Sequence, residues 1–316
     1  MRGALLCLGS AACFSTLGVF GKLAADAGAN VATTLLARFG LAAALCWLVL
    51  GIGGGIPAIR RAPRRVVLVG LGLGAAGYSL QSTFFFTAIE NADVSLVSLV
   101  LYTYPAFVTV AALALGRAEP SLRIGSALAV ASVGLVLVLL TAGTGSLDLR
   151  GALFALAASV TYTTYILISD RIVGAVDPFA LSTLVLTGAT ASFAVAGVAT
   201  GSLELSLGAD AWLWLVLIAL VSTVVAVAAF FAGLRRVGPS EAAILSTFEP
   251  VVTVVLAFLV LGERLTGAQL AGAVLVLGAV IVLQLPARRR AARNRRTALR
   301  AAPAASAPSG LDVSSA

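Results

Sequence analysis

Long apolar runs fill most of this 316-residue chain, and short clusters of Gly, Pro and charge separate them. A helix rises 1.5 Å per residue, so about 20 mostly apolar residues cross the hydrocarbon core of a bilayer. Ten runs meet that length: 3–21, 31–50, 66–88, 94–115, 122–140, 151–169, 179–199, 212–234, 240–261 and 265–285. The pattern predicts an all-α polytopic membrane protein with ten transmembrane helices. The connections are short, so successive helices are expected to be antiparallel neighbours.

Two runs carry a polar residue followed by proline near their middle. They are Tyr104-Pro105 in the fourth and Glu249-Pro250 in the ninth, 145 residues apart. Other matches have similar offsets: Ser95 with Ser240, Glu119 with Glu263, Gly134 with Gly278, and Arg2-Gly3-Ala4-Leu5 with Arg150-Gly151-Ala152-Leu153. The internal copy of that last motif argues that the first run is a retained helix and not a cleaved signal. The chain therefore reads as two five-helix repeats, 1–141 and 149–286, followed by a tail, 287–316. Five is odd, so the second copy is inverted relative to the first. Inverted repeats around a midplane site are the architecture of alternating-access carriers.

Charge sets the orientation. With the N-terminus inside, almost every Lys and Arg outside the spans falls on the inner side, and only Lys22, Arg150 and Arg264 fall outside. Both termini are expected in the cytoplasm and the protein in the inner (plasma) membrane. The tail opens with Arg288-Arg289-Arg290 and turns into Ala, Pro and Ser. That composition cannot build a core and suits either contact with anionic lipid or topological retention.

Composition removes several function classes. The chain is 60% hydrophobic and 11% charged, with no His. Without His, imidazole catalysis is excluded and a multi-ligand metal site is not expected. No phosphate-cradling loop or nucleophile-elbow motif is present, so no cofactor and no enzymatic role are expected. The net charge of +8 reflects topology and the tail, not nucleic-acid binding. Cys7, Cys13 and Cys46 lie within apolar runs and read as small packing residues. The partners implied are the lipid bilayer, a small-molecule substrate and a coupling proton. Monomer and homodimer both stay open.

Phe248-Glu249-Pro250-Val251, Leu261-Gly262-Glu263-Arg264-Leu265-Thr266, Ala271-Gly272-Ala273-Val274-Leu275 and Gly278 resemble the end of an EamA-type repeat. Arg38-Phe39 and Ala88-Ile89 fit the same pattern. The EamA-type family belongs to the drug/metabolite transporter superfamily, and the resemblance runs from about Gly3 to Leu285. It implies a transporter of amino acids, related metabolites or drugs, with export favoured. The first copy departs from the pattern. Gly116-Arg117-Ala118-Glu119 replaces Gly-Glu, and Tyr104 stands where the second copy has Glu249, so proton handling would rest on one half.

Candidate site residues follow from depth. Glu249 lies about 14 Å from the inner surface and Tyr104 about 15 Å from the outer one. A carboxylate at that depth is a functional candidate and suited to carry a proton. Pro250 and Pro105 are expected to leave the Ser246 and Leu101 carbonyls without helical partners, free to bind a cation or ammonium group. Arg38 lies about 10 Å deep. It can pair with Glu249, bind a substrate carboxylate, or snorkel to the outer headgroups. Gln81 and Tyr162 are further cavity candidates. Tyr102 and Tyr104 are 200° apart on one helix and should not face the same cavity. Glu241 reads as an inner-mouth residue, and Glu119 and Glu263 as helix caps or loop partners. The competing readings are an efflux carrier for drugs or amphipathic cations and, in another class, a channel or a membrane-embedded protein that does not transport.

Overall fold

The computed structural model describes residues 2–116, 120–140, 149–169, 177–237, 242 and 245–284. Glu119, Glu241 and the arginine-rich tail lie outside these residues. The described residues form helices α1 (Arg2–Asp26), α2 (Val31–Ile52), α3 (Ile56–Arg61), α4 (Arg64–Gly72), α5 (Ser79–Asn91), α6 (Val94–Leu101) and α7 (Tyr104–Ala114). They continue with α8 (Leu122–Leu140), α9 (Leu149–Ser169), α10 (Pro178–Thr200), α11 (Ala209–Ala219), α12 (Ala226–Val237), α13 (Glu249–Leu256) and α14 (Gly267–Gln284). Three π-helical stretches join or extend them: π1 (Leu73–Tyr78) between α4 and α5, π2 (Leu220–Val225) between α11 and α12, and π3 (Ala257–Leu261) after α13.

Among the described residues, seven helical stretches are long and apolar enough to cross a membrane, and three shorter apolar ones accompany them, Leu122–Val138, Glu249–Leu261 and Gly267–Leu283. Large apolar side chains such as Leu5, Leu153, Val198, Leu213 and Leu259 face outward and exposed. So many would be a liability in water, but they match a lipid surround.

Both proline sites break their helices instead of bending them. Tyr102 and Thr103 form a turn after α6, and α7 restarts at Tyr104 with Pro105 in its first turn. Thr247 and Phe248 form a turn, and α13 starts at Glu249 with Pro250 in its first turn. Proline is tolerated there because first-turn N–H groups have no helical acceptor.

Helices of the first half pack chiefly on helices of the second: α1 on α12, α2 on α10, α5 on α9 and α8 on α14. Small residues permit the approach, as expected where apolar lipid gives helices no hydrophobic reason to associate. A Cβ on Gly134 in α8 would lie 2.8 Å from the Gly272 carbonyl oxygen of α14, and one on Gly272 would lie 2.6 Å from that of Gly134. Cys7 and Cys46 are buried and Cys13 half-buried, and none of the three is in a disulfide.

Glu263 has the capping role expected of it, across a long sequence separation. Its carboxylate accepts from the Val94 and Ser95 backbone N–H groups at 2.8 and 2.9 Å and from the Ser95 hydroxyl at 2.7 Å. An anion at a helix N-terminus satisfies orphan donors and the helix dipole together. Glu263 thereby fixes the start of α6, the helix that leads to the first break.

Candidate functional site: an internal cavity between two helix breaks

A cavity of about 260 Å³ lies inside the bundle. Arg38, Gln81, Tyr104, Tyr162 and Glu249 all line it. It also takes in Tyr78, Ser98 and Tyr102, with Phe14, Phe85 and Phe230 as apolar wall. It draws on α1, α2, π1, α5, α6, α7, α9, α12 and α13, and so on both halves of the chain.

At the second break, Glu249 opens α13, and its own turn is tied down. The Thr253 hydroxyl donates to the Glu249 carbonyl at 3.0 Å and lies 3.5 Å from the Ser15 carbonyl of α1. The Tyr102 hydroxyl lies 3.4 Å from the Ser246 carbonyl, and Tyr102 lines the cavity together with Glu249. Two expectations fail here. The Ser246 carbonyl is not free, because Tyr102 from the other half covers it. Tyr102 and Tyr104 both line the cavity, with ring centroids 5.9 Å apart. The 200° argument assumed one continuous helix, and the turn at Tyr102-Thr103 resets the angle between them.

The first break is closed by hydroxyls. The Ser159 hydroxyl donates to the Leu101 carbonyl at 3.2 Å, so this carbonyl is not free either. Thr103 and Ser159 hydroxyls lie 3.2 Å apart, and the Thr163 hydroxyl lies 3.4 Å from the Tyr104 carbonyl. Proline frees a carbonyl, but a buried carbonyl left unpaired is expensive, and a neighbouring hydroxyl is the usual remedy.

Arg38 is 2% exposed, so it does not snorkel. Its Nε donates to the Thr223 hydroxyl at 3.3 Å and its Nη2 to the Tyr78 hydroxyl at 3.2 Å, rather than to Glu249. The guanidinium carbon lies 4.8 Å from the Phe39 ring centroid, 5.7 Å from Tyr78 and 5.9 Å from Phe86. Gln81 is buried and accepts from the Ser82 hydroxyl at 3.3 Å.

All five tyrosines of the chain belong to one row of rings. Tyr78 contacts Tyr165 at 5.6 Å between centroids, Tyr165 contacts Tyr162 at 5.9 Å, and Tyr162 meets Tyr104 edge-on at 4.8 Å, with Tyr102 next. The row runs from the Arg38 end of the cavity to the Glu249 end. Sequence reasoning did not select Tyr78, Tyr102 or Thr223. The confinement of every tyrosine to two short stretches, 78–104 and 162–165, was the signal available for the first two.

A bundle of lipid-facing apolar helices around an internal polar cavity is the architecture of a membrane transporter. The model of the EamA-like transporter family matches residues 1–140 and again 149–285, and the chain belongs to that family. It is 26% identical over 280 residues to the uncharacterized transporter YcbK of Bacillus subtilis strain 168, covering 85% of this chain and 88% of that one. It is 24% identical over 213 residues to an uncharacterized transporter of Archaeoglobus fulgidus, covering 67% and 74% of the two chains. A crystal structure with 21% identity superposes with a TM-score of 0.61 over 91% of this chain and 98% of that chain, a likeness of fold.

Proposed function

We propose that this chain is a secondary active carrier that moves a small metabolite, an amino acid or related compound, by alternating access in the export direction. The observation that carries the reading is Glu249, a carboxylate at a helix break inside a cavity lined from both halves. In the proposed cycle Glu249 takes up a proton on one side and releases it on the other. Tyr104, Gln81 and Tyr162 contact the substrate, and prolines 105 and 250 mark the two helix breaks beside it.

The architecture proposed is ten spans in two inverted repeats, 1–141 and 149–286, in the inner membrane with both termini cytoplasmic. The packing supports it. Replacing each helix by its counterpart five spans on turns the α1–α12 contact into the α9–α5 contact, and α2–α10 and α8–α14 into themselves. Any two-fold axis has that signature, and five spans per copy, an odd number, would set it in the membrane plane.

A wall of aromatic rings around a carboxylate favours a second reading, efflux of amphipathic cations. Proteoliposome uptake of a pooled, labelled set of amino acids and organic cations, with and without a pH gradient, separates the two. Gradient-stimulated flux of amino acids supports the first, and flux confined to cations replaces it with the second. Absence of any flux sinks the transport cycle built on Glu249.

A further inference from the structure

Arg38 is a buried cation with no carboxylate hydrogen-bonded to it among the described residues. Among the described residues, its hydrogen bonds go only to the neutral hydroxyls of Thr223 and Tyr78. A guanidinium has five N–H donors, so most of its Nη1 and Nη2 donors have no protein acceptor there. Leaving a charge unpaired at this burial is costly, and three neighbouring rings offset that only in part.

The surroundings fix the guanidinium in place. Both of its partners come from π-helical stretches, Tyr78 ending π1 and Thr223 lying within π2. The two stretches belong to different halves at matched positions in the chain. Each is stitched by a hydroxyl reaching five residues back, Ser79 to the Gly74 carbonyl at 2.9 Å and Thr223 to the Ile218 carbonyl at 3.0 Å. Because the Thr223 hydrogen is committed to Ile218, its oxygen offers Arg38 only lone pairs. In π1, a Cβ on Gly74 would collide with the Val185 carbonyl of α10, so the stretch is seated directly on its neighbour's backbone. A π turn inserts one extra residue and re-aims the side chains after it, and such turns recur at functional sites. Here two of them converge on one guanidinium that lines the cavity.

We propose that Arg38 is an anion subsite, assembled by the two π-helical stretches, that takes the carboxylate of the transported compound. This rests on the reading of the cavity as the substrate site. Arg38 supplies paired N–H donors in the planar fork that matches a carboxylate. The tyrosine row and Glu249 are then left to the rest of the molecule. The class implied is a carboxylic acid, zwitterionic when its other end bears an ammonium group, and not a simple cation.

The test uses the full-length protein, reconstituted, with each probe amino acid paired against the amine formed by its decarboxylation. The wild type is expected to bind and move the acid-bearing member about tenfold better than the amine. Arg38→Gln should erase that preference, lowering the acid by about tenfold and leaving the amine within about twofold. Arg38→Lys keeps a buried cation against the rings and should fold, yet lose the acid several-fold, because an ammonium cannot make the fork. Tyr78→Phe and Thr223→Val keep the charge and loosen its aim, so the acid should weaken and the amine should not.

Equal loss of acid and amine in Arg38→Lys would make Arg38 a structural residue and overturn the proposal. So would a wild type that carries both members equally well. Absence of flux for every compound would instead remove the transport reading on which the proposal rests.

Discussion

The two helix breaks are built from the same element and finished differently. Each is a two-residue turn followed by a helix with proline in its first turn, and each frees one carbonyl four residues before that proline. At the first, Ser159 takes the Leu101 carbonyl while Thr103 and Thr163 tie the surrounding backbone down. At the second, the Ser246 carbonyl is met by Tyr102, which lines the cavity together with Glu249. The first break is saturated by neutral groups of nearby helices. The second depends on one hydroxyl, and a titratable carboxylate opens the helix that follows it. A duplicated feature can therefore keep its shape in both copies and hold the charge in only one.

The sharpest way to break this comparison is Glu249→Gln. A charge-assisted interaction is worth about 2–3 kcal/mol, so flux driven by a pH gradient should fall by about a hundredfold. The counterpart change at the first break, Tyr104→Phe, should cost only a few-fold and leave the pH dependence in place. Equal effects of the two, measured in the same vesicles, would erase the distinction between the breaks.

Tyr102→Phe comes next. Loss of one hydroxyl costs about 1 kcal/mol, so flux should drop by about fivefold. The pH profile should also move if Tyr102 helps to set the protonation of Glu249. In a Glu249→Gln background the same change should have no effect on the pH profile. A Tyr102→Phe profile superimposable on the wild type would show that the hydroxyl serves only the Ser246 carbonyl.

Ser159→Ala should act on stability alone. Leaving the Leu101 carbonyl unpaired costs about 1–2 kcal/mol, and at this chain length that lowers the melting temperature by about 2–6 °C. The pH profile should stay where it is, and a shift would couple the first break to proton handling after all. The smallest effect is expected from Pro105→Ala. The restored N–H competes with Ser159 for an acceptor already satisfied, so the melting temperature should change by less than about 3 °C. A large destabilisation would mean that the proline, and not the hydroxyls, holds the turn open.

Much of the fold was legible because the bilayer allows few solutions. Apolar runs of about twenty residues must be helices, and proline at 105 and 250 must each take one hydrogen bond out of its helix. Depth counting also selected Glu249, Tyr104, Arg38, Gln81 and Tyr162, all of which line the cavity. It failed for Tyr102, because a helical wheel cannot anticipate a turn that resets its phase. It failed for Arg38's partners as well. Thr223 and Tyr78 lie 185 and 40 residues away from it, and their aim depends on π turns that have no periodic signature.

The sequence by itself determined the helical class, the paired prolines and the intramembrane charges, because burial in lipid constrains every backbone hydrogen bond and makes each such charge conspicuous. Only the tertiary structure decided which groups answer them. Ser159 for Leu101, Tyr102 for Ser246, and Thr223 with Tyr78 for Arg38 are matches between helices distant in the chain. Hydrogen bonding acts over about 3 Å, so such matches exist only once the helices have packed.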